Sequence, residues 1–544
     1  MPDHHVMSAP HSTSRHHDVL IIGAGFAGLY QLYRLRRLGF DARIIEAGDD
    51  VGGTWYWNRY PGARCDIESI EYSYSFDPEL QQEWNWSERY AAQPELLSYA
   101  RHVAHRYGLR EDITFGTRVE RLDWDEDTHR WTVTTDDGTS RTAQYVIAAT
   151  GCLSVPSRPV FEGLDDFSGE VYWTSRWPHE DVDLAGKRVA VIGTGSSGVQ
   201  TITAIAPAVA ELTVFQRTPS FAVPAHNGPN EERLAAARKR YPEIREHSRM
   251  SRTGFGCPEG MRSLAEADAE EARREFDKRW ADGGLCFSSA FTDILRDAGA
   301  NEIAAEYVRG RIREKVRDPE LAEKLSPRTY PIASKRMCVD TGYFEVYNQP
   351  HVSLVDLNVQ PIRRVTERGI VVGEAGRERT YAFDVIILAT GFDAMTGALR
   401  AMDIRGAAGT LREKWAHGPR TYLGLMSAGF PNLFMVTGPQ SPSVLSNMLT
   451  SIEYHVDWIT RALEHLREHG LNRMEAAPEA EDNWVNTTND LAALTLMPQA
   501  ASWYMGANIP GKQRVFMPFI GGVGTYRQIG DGVAVAHYHG FELT

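Results

Sequence analysis

Long apolar runs are missing from this chain of 544 residues: none approaches the roughly 20 residues a membrane-spanning helix needs. An excess of cations is missing too. The 58 Lys and Arg are outnumbered by 72 Asp and Glu, for a net charge of −14, which argues against a nucleic-acid partner or an anionic membrane surface. Cysteine is scarce: Cys65, Cys152, Cys257, Cys286 and Cys338 are scattered, with no C-x-x-C spacing. That excludes an adjacent-dithiol redox centre and fits a reducing, cytoplasmic setting. No metal site is expected. Residues 1–17 have five His with Ser and Pro but no apolar core, so they read as a disordered tail rather than a signal peptide. The histidines there are read as solvated rather than as ligands. What remains is ordinary for a globular protein, 42% hydrophobic and 24% charged, and long enough for two or three domains.

The first organised stretch runs from Asp18. Val19 to Ile22 is an apolar run of the length of a buried parallel strand. Gly23, Gly25 and Gly28 follow in G-x-G-x-x-G spacing, Leu29 to Leu38 reads as a helix, and a second strand, Ala42 to Ile45, ends in Glu46. Each glycine has a reason: a tight turn, close approach of backbone to a pyrophosphate, and helix-to-strand packing. The helix N-terminus offers unpaired N–H groups to phosphates. Glu46 suits a ribose bearing a free 2′-hydroxyl, such as that of FAD.

A second unit starts at Lys187. Gly193, Gly195 and Gly198 repeat the spacing with Thr194, Ser196 and Ser197 between them, and a helix follows. Its second strand, from Leu212, ends in Gln216, Arg217 and Thr218 where the first unit has Glu46. A cation and a hydroxyl there suit a 2′-phosphate, so this unit should prefer NADPH to NADH. Between and after the units, strands are expected at 113–119, 131–135, 145–151, 352–355, 370–372 and 383–391, with a hairpin turn at Asp136 to Gly138. Ala149-Thr150-Gly151 and Ala389-Thr390-Gly391 repeat one small-residue strand ending. Residues 226–330 are charged and helically patterned, and a helix is expected from about Ile452 to His469. The fold class is α/β: two Rossmann-like dinucleotide-binding domains (FAD and NADP) with a helical insertion. The expected boundaries are 18–151 and 388–544 for the FAD domain, 152–225 and 331–387 for the NADP domain, and 226–330 for the insertion.

The stretch from Gly53 to Asp66 carries Trp55, Tyr56 and Trp57, a Tyr60-Pro61-Gly62 turn, then Arg64 and Asp66. Together with the two nucleotide units it resembles the class B flavin monooxygenases, and most closely their Baeyer–Villiger members of the phenylacetone and steroid monooxygenase branch. The resemblance covers nearly everything from residue 18 onward. A long family pattern is met in full by Gly52, Gly53, Trp55, Tyr60, Pro61, Gly62 and Asp66. A second fingerprint is met at Phe167, Gly169, Trp177 and Pro178, but its histidine is Trp173. In the family this linker is thought to couple movement of the NADP domain to the flavin domain. An indole cannot accept a hydrogen bond or carry a proton as imidazole does, so efficient coupling is in question.

The resemblance implies conversion of ketones to esters or lactones, with NADPH and O2, through a C4a-peroxyflavin anion. Arg336 matches the active-site arginine, whose fixed charge favours that anion and stabilises the adduct; Asp66 would orient it. FAD would be held by Gly23, Gly25, Ala27, Gly28, Glu46, Thr54, Trp55, Trp57, Asp66, Tyr72, Val119 and Met448. NADP would be held by Arg64, Gly193 to Gly198, Gln200, Arg217, Thr218, Lys335, Arg336 and Trp503. Val444 and Leu445 would face the substrate. Gln440 stands where close relatives usually have Gly, and would either reshape the pocket or cap a turn. The expected partners are a small ketone and O2, with no nucleic acid and no membrane, and the expected state is a monomer. Two alternatives stay open: oxygenation of sulfides or other heteroatoms, and an uncoupled NADPH oxidase caused by Trp173.

Overall fold

Val19 to Ile22 lies in strand β1 (Arg15–Ile22), and Val19, Leu20 and Ile21 have no exposed surface. That is the burial expected at the centre of a parallel sheet. The computed structural model describes residues 15–544. Because β1 begins at Arg15, the reading of 1–17 as a disordered tail fails for its last three residues. His16 and His17 pair with Thr142 and Ala143, and buried His17 shares a hydrogen bond from Nδ1 to Asp41 Oδ2 at 2.9 Å. Ladder pairing uses backbone groups that any sequence carries, so a polar start did not reveal it. Residues 1–14, with the other histidines, lie outside the described residues.

Helix α1 (Phe26–Arg37) follows the glycine turn directly, and β2 (Ala42–Ile45) returns parallel to β1. The single strand expected over 113–119 is instead two, β3 (Ile113–Thr114) and β4 (Val119–Asp125). Gly116 breaks the run in a left-handed conformation, φ 61°. There the N–H groups of Gly116 and Thr117 bond to Gly48 O and Glu46 O. β5 (Arg130–Thr135) and β6 (Ser140–Ala148) complete an antiparallel ribbon whose last strand is parallel to β1.

The chain then builds a second sheet from β7 (Glu170–Trp173), β8 (Arg188–Ile192), helix α2 (Ser196–Ile205) and β9 (Glu211–Gln216). β10 (Ala222–Pro224) and β11 (Cys338–Asp340) pair in parallel. The stretch between them therefore leaves and re-enters at one place. Its helices include Glu231–Arg238, Tyr241–Met250, Ala269–Asp282, Ala298–Lys315 and Pro319–Leu325. β12 (Val352–Asp356) joins the second sheet, and a three-stranded antiparallel sheet follows, β13 (Ile362–Thr366), β14 (Gly369–Val372) and β15 (Arg379–Ala382). With β16 (Val385–Leu388) the second sheet reads β12-β9-β8-β16-β7, all parallel.

The remainder returns to the first sheet. β17 (Asp403–Gly406) and β18 (Gly409–Thr410) extend it beyond β4, and β19 (Leu433–Met435) pairs with β6. Helix α3 (Met448–Glu468) packs on α1, where Gln31 Nε2 donates to Thr460 Oγ1 at 3.1 Å. It starts four residues before the expected Ile452, because the Asn447 side chain accepts from Leu449 N–H at 3.1 Å and caps it. No described helix is long and apolar enough to cross a membrane.

Candidate functional site

Both glycine turns are built the same way. Gly23 and Gly193 are left-handed, φ 106° and 110°, a conformation that strains any side chain. Each presses on the small-residue end of a neighbouring strand: Ala149 N–H donates to Ile22 O at 3.0 Å, and Ala389 N–H to Ile192 O at 2.9 Å. A methyl group at Gly28 or Gly198 would overlap the carbonyl of Gly23 or Gly193. Helices α1 and α2 both start from glycine caps, Gly25 and Gly195, with no side-chain cap and no acid in the first turn. Their free N–H groups fit two pyrophosphates.

The second-strand ends differ. Ile22 pairs with Ile45 and Ile192 with Phe215, so Gln216 is the positional counterpart of Glu46. Glu46 is buried, and its oxygens accept from Ala24 N–H at 2.6 Å and Gly48 N–H at 2.7 Å. Burial nevertheless leaves the carboxyl above its ordinary value. Gln216 faces away, its amide donating to Lys324 O at 2.7 Å. The cation is supplied one residue later by exposed Arg217, facing Lys335. Burial, then Arg217, pushes Lys335 down to about 8, with its ammonium 4.4 Å from the centre of the Tyr330 ring. Neither cation has a carboxylate partner among the described residues, so the pair fits a phosphate dianion. Thr218 closes this corner, its carbonyl accepting from Thr194 Oγ1 at 2.9 Å.

The loop 53–66 joins the two units. Gly53 lies against Gly25, where a side chain on either would meet the other's backbone. Thr54 is exposed, Ala27 and Val119 are buried, and Trp55 Nε1 donates to Tyr72 OH at 3.2 Å. Trp57 carries the Arg176 guanidinium 4.4 Å above its ring. At the far end, Tyr60 OH donates to Gln200 Oε1 at 2.8 Å, and Gln200 Nε2 donates to Arg64 O at 3.1 Å. The Arg64 side chain turns away to Glu88 Oε2 at 2.8 Å, so it is the backbone of Arg64, not its charge, that meets α2.

Two residues on, Asp66 receives Arg336. Nη2 donates to Oδ1 at 2.8 Å, Nε donates to Oδ2, and the third nitrogen, Nη1, donates to Val444 O at 2.7 Å. Burial alone would lower Arg336, but the charge and hydrogen bonds of Asp66 outweigh it, and the guanidinium stands above its ordinary value. A planar fork held at three nitrogens is fixed in direction as well as charge. Around it lies an apolar cluster of Cys152, Met395, Val444, Tyr504, Phe516 and Met517, with half-buried Leu445, Met448 and Trp503 at its margin.

Several features of this site carry no sequence signal. Tyr504, buried and raised to about 12 by burial, is an electrostatic neighbour of Arg336; no motif marks it. Thr437, Gln440 and Ser443 are all left-handed, φ 55°, 67° and 36°, and Met395 is too, φ 66°. Such residues cost on the order of 1–3 kcal/mol each and gather where a site over-determines the backbone. The Gln440 alternatives resolve toward the cap: Oε1 accepts from Thr421 N–H at 2.8 Å, and Nε2 donates to Pro419 O at 2.9 Å. Trp173 ends the edge strand β7, half-buried, with the Arg158 guanidinium 5.9 Å from its ring centre.

Residues 20–250 match a family model described as pyridine nucleotide-disulphide oxidoreductase. A Baeyer–Villiger monooxygenase of Pseudooceanicola batsensis is 43% identical over 515 residues, 94% of this chain and 93% of the relative. A phenazine N-monooxygenase of Lysobacter antibioticus is 42% identical over 533 residues, 97% of each chain. The solved structure of an oxidised steroid monooxygenase bound to NADP is 49% identical, with a TM-score of 0.93, covering 97% of this chain and 99% of that one. By full-length similarity the chain belongs to the Baeyer–Villiger monooxygenases.

Proposed function

We propose that the protein uses NADPH and O2 to convert a ketone to an ester or lactone. When bound, FAD supplies the redox and oxygen-activating chemistry, with NADPH as its hydride donor. Glu46 and the α1 N-terminus hold the flavin nucleotide. The α2 N-terminus, Arg217, Thr218 and Lys335 hold the nicotinamide nucleotide by its phosphates, and Trp503 borders it. Arg336 is the catalytic residue, and Asp66 and Val444 O aim it. Its permanent charge favours an ionised oxygen nucleophile over the protonated form. It also stabilises negative charge developing on the substrate's carbonyl oxygen. The apolar cluster beside it excludes water and accepts the hydrocarbon part of a ketone.

The observation that carries this reading is a guanidinium anchored on three nitrogens within an apolar cluster, between the two nucleotide units. A second reading, oxygenation of a nitrogen or sulfur atom, is favoured by the similarity to a phenazine N-monooxygenase. Purified, FAD-loaded enzyme with NADPH and air, given a panel of ketones, sulfides and aromatic amines, separates the two by product. Ketone-stimulated NADPH consumption with ester formation is expected. Hydrogen peroxide as the sole product with every ketone would replace the reading with an oxidase.

A further inference from the structure

Outside the site, the cysteines divide into two kinds. Cys65, Cys152 and Cys338 are buried, and burial raises all three, Cys152 and Cys338 to about 11. Such thiols are poor nucleophiles. Cys257 and Cys286 differ. They lie 29 residues apart in the inserted stretch, yet the fold zips their segments together. Gly260 N–H donates to Ser289 O at 2.7 Å, and Thr292 N–H to Arg262 O at 3.0 Å. Arg252 Nη2 donates to Ser289 Oγ at 2.9 Å, and Arg279 Nη1 to Pro258 O at 2.5 Å. The paired segments run in the same direction from three residues beyond each cysteine, and each sulfur is the other's strongest electrostatic neighbour. Cys257 is buried, and Cys286 is half-buried.

We propose that Cys257 and Cys286 are a site of reversible oxidation, at which hydrogen peroxide converts two thiols to an intrachain disulfide. The inference does not depend on the reaction proposed above, since added peroxide supplies the oxidant. Its chemistry follows from the opposite settings of the two sulfurs. The Cys286 and Ser289 hydrogen bonds, with the charges of Arg279 and Arg252, hold Cys257 below its ordinary value despite burial. The Cys257 contact and burial push Cys286 up. The Cys257 thiolate attacks one peroxide oxygen, the O–O bond breaks, and the hydroxide released takes up a proton as water. Oxidation of Cys257 removes the contact that chiefly raised Cys286, and the Cys286 sulfur then attacks the sulfenic acid. The S–S bond forms as S–O breaks, and the Cys286 proton leaves with the oxygen as a second water. Two thiols are oxidised by two electrons, and one peroxide becomes two waters.

The place matters. The loop just before Cys257 is tied to the start of α3 and to the turn at Glu71: Asn447 N–H donates to Thr253 O at 2.8 Å, Thr450 Oγ1 to Gly254 O at 2.8 Å, and Gly256 N–H to Glu71 Oε1 at 2.6 Å. A disulfide would brace the insertion where it meets the start of α3.

The test uses the full-length, FAD-loaded protein. A modest molar excess of hydrogen peroxide is followed by catalase, unfolding and alkylation with N-ethylmaleimide, then intact mass and peptide mapping. The expected result is loss of two of the five alkylatable thiols, a peptide cross-linked through Cys257 and Cys286, and reversal by dithiothreitol. In Cys286→Ser the cross-link should vanish and dimedone should label Cys257. Five free thiols after treatment, or oxidation falling first on Cys65, Cys152 or Cys338, would overturn the proposal. The wild-type arm decides the matter even if the variant fails to fold.

Discussion

The two dinucleotide units share one backbone and part company at a single corner. Each has a left-handed first glycine against a neighbouring strand end, and each opens a helix with no side-chain cap. At the tip of the second strand one places a carboxylate, tied to the glycine turn by Ala24 N–H and to its own strand end by Gly48 N–H. The other turns its positional counterpart, Gln216, toward the insertion and leaves two cations facing each other. Under the proposed function, phosphate binding rests on backbone geometry common to both, and the choice of nucleotide on the sign of charge at that corner. The lesson is that glycine spacing identifies the scaffold, and a few side chains beyond it identify the ligand.

The largest effect is expected at the residue between the units. Arg336→Ala should lower ester formation about 100- to 1000-fold, the range for losing one preorganised charge stabiliser. FAD loading should be kept, with NADPH oxidation now yielding peroxide, read by product analysis and peroxide titration. Unchanged ester formation would remove Arg336 from the chemistry. Next, Lys335→Met should raise the KM for NADPH by about 10- to 100-fold, the worth of one charge-assisted contact, without loosening FAD. The sign with pH follows from Lys335's lowered value of about 8. The cation is present below that pH and is lost as pH rises through it, so wild-type KM for NADPH should climb above pH 8. The variant should not show that climb.

The converse variant, Glu46→Gln, should weaken flavin retention by roughly tenfold, because an amide presents a donor to one of two N–H groups. Its KM for NADPH should stay put, as measured by FAD release on dilution and by steady-state kinetics. Equal losses of both nucleotides in either variant would break the comparison. The smallest effect is expected for Trp173→His. It forfeits the stacking with Arg158, worth about 0.5–1 kcal/mol, and should shift the ester formed per NADPH by no more than about fivefold.

Both glycine turns were legible because a tight turn and a helix approach admit almost no other residue. Asp66 and Arg336 were legible only through a long motif, since 270 positions separate them and no local pattern links them. The third anchor of Arg336 was invisible: Val444 contributes a carbonyl, which every residue has. The left-handed Thr437, Gln440 and Ser443 were hidden for the opposite reason, none being the glycine or asparagine that advertises such backbone. Gln216 shows the limit of positional reasoning, because a residue in the right register still pointed elsewhere. The Cys257–Cys286 contact escaped a search for close spacing, because tertiary packing rather than a turn brings the sulfurs together.

One carboxamide has a mechanical consequence. Gln200, on the second unit's helix, takes Tyr60 OH and Arg64 N–H on its oxygen and gives its own N–H to Arg64 O. The peptide it clasps lies two residues before Asp66, which aims the guanidinium. Any swing of that helix is therefore transmitted along a few bonds of main chain to the angle of the arginine. Under the proposed function, seating of the nicotinamide nucleotide on that helix would reach the reacting carbonyl through this stretch of main chain.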